Sequence, residues 1–272
     1  MIATNPYRPS LMTLTEVIDE TPTIKTFVVE PTEPFHFKAG QFAQLTVPEV
    51  GESPFTPSSD PAEPERLEFT VIRTGRVTDV LHTFKVGDNI GLRGPFGAGY
   101  PVDEMWNKHV LVVGGGCGLA PLRSLIYTLF RQPNHIRSMD IKYGARESSE
   151  LLYSRMYEAW AARQGVSFRC TIDVAEPGWD GQVGVVTTLL DRVETPLAET
   201  IAVSCGPEIM LKFVTKTLLE RGFAPEQIIL SMNRRMSCGI GKCGRCNIGP
   251  YYLCRDGPDI HYDKIKDMAN VF

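Results

Sequence analysis

Four cysteines, Cys238, Cys243, Cys246 and Cys254, stand in the stretch MSCGIGKCGRCNIGPYYLC with four, two and seven residues between them. The C-x4-C-x2-C spacing with a further cysteine downstream is a pattern by which thiolates hold a [2Fe–2S] cluster. Gly239, Gly241, Gly244 and Gly249 are interleaved with them. Glycine lets a chain curl with positive φ, so that backbone N–H groups can face sulfur. Two other readings compete. A structural zinc ion also takes four cysteines, and Cys243 with Cys246 alone would suit one. A disulfide framework needs an oxidising compartment, yet the segment from Met1 has no apolar signal-peptide core and no 18-residue apolar run follows. The expectation is a soluble, cytoplasmic protein, in which clustered cysteines serve metal or catalytic chemistry. Glycine density and the isolated Cys238 favour iron–sulfur over the paired C-x2-C knuckles of a zinc ribbon.

Arg234, Arg235, Lys242 and Arg245 surround the motif, with no acid between Ser231 and Leu253. Cations near a negatively charged cluster favour its reduced form. They would also steer an acidic partner toward it, although charge compensation on a solvated surface is the plainer account.

A second chemical signal is the turn Gly114-Gly115-Gly116-Cys117-Gly118, between an apolar strand and a helix that begins near Leu119. Residues without side chains let a pyrophosphate approach the backbone, and the helix start offers N–H donors. Ser204-Cys205-Gly206-Pro207 makes a second turn of the same kind, and both fall at the carboxyl ends of predicted parallel strands, where such sheets bind ligands. Close packing alone could also require these glycines. Cys205 has no histidine nearby in sequence to activate it, and Cys117 and Cys170 read as structural. Gly75-Arg76-Val77-Thr78 precedes a short helical pattern over Thr78–Phe84, with Thr78 placed as an N-cap. The five histidines, His36, His82, His109, His135 and His261, show neither metal spacing nor a catalytic constellation. No catalytic acid–base residue is expected.

The chain of 272 residues, 43% hydrophobic and 22% charged, is large enough for about two domains and an appendage. A net charge of −4 argues against general nucleic-acid binding. Residues 1–102 read as β-rich: LMTLTEVIDE, TIKTFVVE, QFAQLTV and LEFTVIR are short, rich in β-branched residues and bounded by Gly or Pro. They suggest a small antiparallel barrel, with the proline-rich stretch Val50–Pro64 as a loop. Over 103–230, strands (HVLVVGGG, MDIKYGAR, VSFRCTIDV, TIAVSCGP, EQIILSM) alternate with helical patterns (LAPLRSLIYTLF, SELLYSRMYEAWAARQ, EIMLKFVTKTLLERG), which predicts a doubly wound parallel sheet. Residues 231–272 carry the cysteine motif and read as mostly irregular.

LRGPFGAGY, VVGGGCGLAP, SCGPEIM and MSCGIGKCGRC follow one another in an order that resembles the ferredoxin reductase-type flavoproteins over nearly the whole chain. The likeness is greater to the branch with a C-terminal [2Fe–2S] segment: sulfhydrogenase gamma subunits, anaerobic sulfite reductase B subunits and dihydroorotate dehydrogenase electron-transfer subunits. The resemblance implies a six-stranded antiparallel barrel that binds FAD, with FMN less favoured, and an α/β domain that binds NAD(P)H. The family's Arg-x-Tyr-Ser flavin motif falls on Ser53-Pro54-Phe55-Thr56, so that Phe55 would stack on the flavin and Thr56 would hydrogen-bond it. Gly75, Val77 and Thr78 match its pyrophosphate motif. The motif's arginine is Ser53 here, leaving backbone amides near Val77–Thr78, or Arg73, to face the phosphates. Gly114, Gly115, Gly116, Gly118, Ala120 and Pro121 match the dinucleotide loop, Cys205 and Gly206 the nicotinamide neighbourhood, and Arg146 the adenosine ribose or its 2′-phosphate. NADH and NADPH are both open. The implied function is an electron-transfer subunit that moves electrons between NAD(P)H and a partner catalytic or iron–sulfur subunit. A stand-alone flavin or ferredoxin reductase with a structural metal segment, and a nucleotide-sensing regulatory subunit, are the alternatives.

Overall fold

The computed structural model describes residues 5–191 and 193–272. Six strands, β1 (Ser10–Asp19), β2 (Ile24–Val29), β3 (Phe42–Val47), β4 (Gly51–Phe55), β5 (Leu67–Ile72) and β6 (Asn89–Phe96), form an antiparallel sheet in the order β4-β3-β6-β1-β2-β5. Its end strands β4 and β5 touch, so the sheet curls into a barrel. Side chains that alternate along the strands fill its interior: Phe27 and Val29, Ala43, Leu45 and Val47, Leu67, Phe69 and Val71, and Ile90 and Leu92. A strand occupies Gly51–Phe55, inside the stretch expected to be a loop. Proline lacks the N–H that a central strand must donate, but β4 is an edge strand, where Pro54 is tolerated. Helix α1 (Arg76–Leu81) starts two residues before the sequence pattern suggested, and Gly75, not Thr78, is its N-cap. Thr78 Oγ1 instead accepts from the backbone N–H of Thr74 at 2.9 Å and of Gly75 at 3.0 Å.

A second sheet has seven strands in the order β10-β9-β8-β7-β11-β12-β15: β7 (His109–Gly115), β8 (Ser138–Ala145), β9 (Val166–Ile172), β10 (Gln182–Val183), β11 (Thr200–Cys205), β12 (Ile228–Ser231) and β15 (Asp259–His261). All pair in parallel except β15, which runs antiparallel to β12. Helix α2 (Leu119–Phe130) packs on one face with Val110, Val112, Ile141 and Tyr143; α4 (Glu208–Glu220) packs on the other with Leu111, Val113, Ala202 and Leu230. The helix expected over 149–164 is α-helical only at α3 (Tyr157–Ala161). Before it, Leu151, Leu152 and Tyr153 are all buried, and Tyr153 has a left-handed φ of 61°. Three consecutive buried side chains cannot share one helical face, so packing overrides helical propensity here.

The last segment contains the short elements β13 (Asn247–Ile248), β14 (Tyr251–Tyr252), α5 (Leu253–Asp256) and α6 (Tyr262–Ile265). It is more than an irregular appendage, because β15 joins the edge of the α/β sheet and Cys238, Cys246, Ile248 and Leu253 enter that domain's core. Barrel and α/β domain are held together by Arg123–Glu68 at 2.7 Å and by Arg131, which pairs with Asp60 at 2.7 Å and Glu63 at 2.6 Å. Between them, the Tyr153 hydroxyl lies 2.5 Å from Thr70 Oγ1. The Arg123 guanidinium sits 4.5 Å from the centre of the Tyr153 ring, a cation–π distance. No described helix is long and apolar enough to cross a membrane.

Candidate active site

A cavity of about 830 Å³ opens where the three parts of the chain meet. The barrel contributes Phe42, Ser53, Pro54, Phe55, Thr56, Thr70, Ile72, Thr74 and Thr78; the α/β loops contribute Gly115 to Gly118, Pro121 and Cys205 to Pro207. The last segment adds Ser231 to Met236, Pro258 and Asp259. Of the residues matched to flavin or nucleotide, Pro54, Phe55, Thr56, Thr78, Gly115, Gly116, Gly118, Pro121, Cys205 and Gly206 face this space. Gly75, Val77, Gly114 and Ala120 do not line it: Gly75 caps α1, Val77 packs against the barrel core, and Gly114 and Ala120 are buried behind the loop.

The loop must be glycine at Gly118, because a Cβ there would lie 2.3 Å from the Cys205 carbonyl oxygen. This approach brings the two strand-end turns together. Gly115, Gly116 and Pro207 also line a second cavity of about 500 Å³ with Ala145, Arg146, Asp173, Ile209, Met210 and Phe213. Arg146 thus sits in the outer cavity, with Asp173 from the end of β9. Sequence reasoning passed over Asp173, whose only signal was its place near the carboxyl end of a predicted strand.

One register row crosses the carboxyl edge of the sheet: Gly114 opposes Cys205, Cys205 opposes Ser231, and Ser231 opposes Asp259. Ser231 Oγ donates to Asp259 Oδ1 at 2.5 Å and lies 2.8 Å from the Tyr100 hydroxyl. Burial pushes the Asp259 carboxyl up to about 8, against the hydrogen bonds from Ser231 and Tyr100 that stabilise its charge. Burial also raises Cys117 to about 12 and raises Cys205, beside Asp259, well above the ordinary thiol range. Both stay as thiols at neutral pH, so neither is a nucleophile.

The four motif cysteines follow Met236 in the last segment, with Cys238, Cys246 and Cys254 buried and Cys243 exposed. Cys243 neighbours Cys238, and Cys246 neighbours Cys254. Backbone N–H groups reach two sulfurs, Gly241 to Cys254 at 3.1 Å and Lys242 to Cys238 at 3.3 Å. Burial alone would raise the Cys238 thiol, but amides of Ile240, Cys243 and Lys242 hold it down to about 6. Burial and the neighbouring Cys246 push Cys254 up to about 12. Backbone N–H donors aimed at thiol sulfur suit an iron–sulfur cluster.

The basic collar separates on folding. Arg234 pairs with Glu208 at 3.0 Å and donates to the carbonyls of Asn270 and Val271, so it anchors the C-terminal end. Arg235 lines the main cavity. Lys242 and Arg245 are exposed beside Cys243, the one exposed cysteine of the four, and neither forms an ion pair among the described residues. Arg73, the other cation considered for the flavin phosphates, pairs with Asp79 at 3.0 Å and is not among the cavity residues.

The chain matches the oxidoreductase FAD-binding domain over residues 10–100, the oxidoreductase NAD-binding domain over 112–216, and the iron–sulfur cluster binding domain of dihydroorotate dehydrogenase B over 233–266. It is 36% identical over 281 residues to the sulfhydrogenase 1 gamma subunit of Pyrococcus furiosus, covering 98% of this chain and 95% of that protein. It is 38% identical over 261 residues to the probable dihydroorotate dehydrogenase B (NAD(+)) electron transfer subunit of Methanocaldococcus jannaschii, covering 95% and 92%. Among solved structures, a chain from that of the NADH-dependent reduced ferredoxin-NADP oxidoreductase has a TM-score of 0.78 at 26% identity, over 97% of this chain and 94% of that one. Fold and site together define an iron–sulfur flavoprotein oxidoreductase of the ferredoxin reductase type. This chain belongs to the family that contains the sulfhydrogenase gamma subunits and the electron-transfer subunits of dihydroorotate dehydrogenase B. Its cofactors are FAD and an iron–sulfur cluster, with a nicotinamide dinucleotide as redox co-substrate.

Proposed function

We propose that the chain is the electron-transfer subunit of a larger cytoplasmic oxidoreductase, exchanging electrons between NADH and a partner catalytic or iron–sulfur subunit. The observation that carries this reading is the placement of Cys243. It is the exposed edge of an otherwise buried thiol group, on the same segment whose other end lines the cavity. Flavin and cluster, when bound, convert a two-electron hydride exchange into single electrons. The chain's residues bind, orient and exclude water. The domains run over 1–102, 103–230 and 231–272.

In this reading Cys238, Cys243, Cys246 and Cys254 hold a [2Fe–2S] cluster. Phe55 and Pro54 offer an apolar wall for the flavin ring, and Thr56 a hydroxyl to its edge. Arg235 supplies, from across the cavity, the cation that is missing at Ser53. Gly115, Gly116 and Gly118 face the dinucleotide pyrophosphate between the two cavities, and Cys205 and Gly206 border the nicotinamide. Neutral Asp259 keeps a negative charge away from it. In the outer cavity, the Asp173 carboxylate would repel a 2′-phosphate, which favours NADH; the relative from M. jannaschii carries NAD(+) in its name. An anaerobic visible spectrum before and after NADH, then NADPH, with flavin, iron and sulfide analysis, tests the reading. Bleaching of flavin and cluster by NADH supports it. Protein with zinc but neither iron nor sulfide would leave a stand-alone reductase, and unbleached cofactors a nucleotide sensor.

A further inference from the structure

The loop that leads into Cys238 is held by the barrel. Gln44 of β3 and Arg93 of β6 stand opposite one another in the sheet register. Gln44 is fully buried and Arg93 is 6% exposed. Gln44 Nε2 donates to the Met236 carbonyl. Arg93 Nη2 donates to the Ser237 carbonyl at 2.9 Å, and its Nη1 to the Cys238 carbonyl at 2.8 Å. Two side chains therefore hold three consecutive carbonyls, the last being that of the first thiolate residue.

Arg93 has little freedom to do otherwise. Its Nε lies 3.0 Å from both Glu52 carboxylate oxygens, and its Nη2 donates to Oε2 at 2.7 Å. Burial would raise the Glu52 carboxyl, but hydrogen bonds from Arg93 and Thr46 outweigh it and hold the group below its ordinary value. The guanidinium also lies 5.4 Å from the centre of the Phe96 ring. On the other side of Cys238, a Cβ on Gly239 would stand 2.7 Å from that same ring. Satisfying buried carbonyls would account for any one of these bonds. A rigid two-pronged donor, fixed by a carboxylate and aimed at the peptide of a thiolate residue, does more. It fixes where the sulfur stands relative to the barrel, and it places positive charge beside a centre that becomes more negative on reduction.

We propose that Arg93 and Gln44 are positioning residues of the electron path: both set the rate at which the cluster is reduced, and Arg93 also sets its potential. This rests on Cys238 being a cluster ligand. The step concerned moves one electron, lost by the reduced flavin and gained by the cluster, out of the two that NADH delivers.

The test uses the full chain, loaded with FAD and cluster, in the variants Gln44→Met, Arg93→Lys and Arg93→Gln. Flavin, iron and sulfide content are measured first, and NADH-to-ferricyanide turnover reports the flavin half alone. Gln44→Met should keep the cluster potential while slowing cluster reduction after mixing with NADH, roughly threefold to tenfold. Arg93→Gln should also make cluster reduction about tenfold less favourable, about 59 mV for one electron in an EPR-monitored titration. Arg93→Lys should restore the potential but not the rate, because it keeps the charge and loses the fork. Wild-type potential, EPR spectrum and reduction rate in Gln44→Met and Arg93→Lys overturn the proposal, whether or not Arg93→Gln folds. Lowered stability with unchanged potential and rate in the remaining clusters also overturns it. Absence of iron and sulfide from the wild-type chain would instead remove the cluster reading itself.

Discussion

On the side of the cluster segment that faces the barrel, Arg93 is buried and bonded to Glu52, Ser237 and Cys238. On the side that faces solvent, Lys242 and Arg245 are exposed and without ion pairs among the described residues. The same charge beside the same thiols does different work because the surroundings differ. A buried guanidinium loses its hydration and must be fully paired, so it fixes geometry. An exposed ammonium or guanidinium keeps its water and is screened by salt, so it acts on encounter with a partner. In the proposed reading the inner face sets how the cluster sits, and the outer face what reaches it.

The largest expected effect comes from removing a buried thiol that the proposed reading makes a cluster ligand. Cys246 is 1% exposed; Cys246→Ala should abolish iron and sulfide binding and cut transfer to any acceptor that depends on the cluster by roughly 10² or more. NADH-to-ferricyanide turnover at the flavin should survive within about twofold, measured on protein with full flavin content. Parallel loss of both activities would mean that cluster and flavin halves are not separable.

The outer face should respond to charge and salt. Lys242→Glu with Arg245→Glu should lower association with an acidic partner or acceptor by about tenfold at low ionic strength, with iron content and cluster potential little changed. The difference should shrink as salt is raised through roughly 0.5 M. A slope against salt identical to that of the wild type would rule out steering by these cations.

In the proposed reading nucleotide choice is set in the outer cavity, by Asp173. Asp173→Ser should improve kcat/KM for NADPH by about tenfold while changing that for NADH by less. Equal changes for the two would show that Asp173 does not face the 2′ position.

A smaller effect concerns the strand that ties the cluster segment to the α/β sheet. Burial pushes Asp259 up to about 8 in the folded chain. Between roughly pH 4 and pH 8 the folded state therefore binds a proton that the unfolded state has released, and stability falls as pH rises through that window. Asp259→Asn removes this loss. Its Tm should exceed that of the wild type by about 5 °C above pH 8, with the difference gone below about pH 4. Parallel melting curves across the whole range would contradict a neutral, buried carboxyl.

Much of this was legible in residue order. The β-branched runs of the first hundred residues, the strand-helix alternation after His109 and the cysteine-glycine motif each depend on local spacing, which a single sequence displays. Pro54 misled because whether a proline is tolerated depends on the strand being an edge, a property of the whole sheet. Leu151 to Tyr153 misled because helical periodicity was outweighed by burial between two domains. Asp173, Ser231 and Asp259 carried no motif at all, and Arg235 stood out only as one of the basic residues around the cysteines.

The sequence by itself determined the kinds of chemistry present: thiolates spaced for a cluster, glycines at strand ends, and barrel residues that resemble a flavin motif. Tertiary structure alone decided how the basic residues divide, with Arg234 as an anchor, Arg235 in the cavity, and Lys242 and Arg245 at the exposed edge. It alone placed Gln44 and Arg93 on the loop of Cys238, nearly two hundred and nearly one hundred and fifty residues away in the chain. The physical reason is that spacing fixes which groups a short segment can bring together, whereas burial and long-range pairing fix what each group then faces.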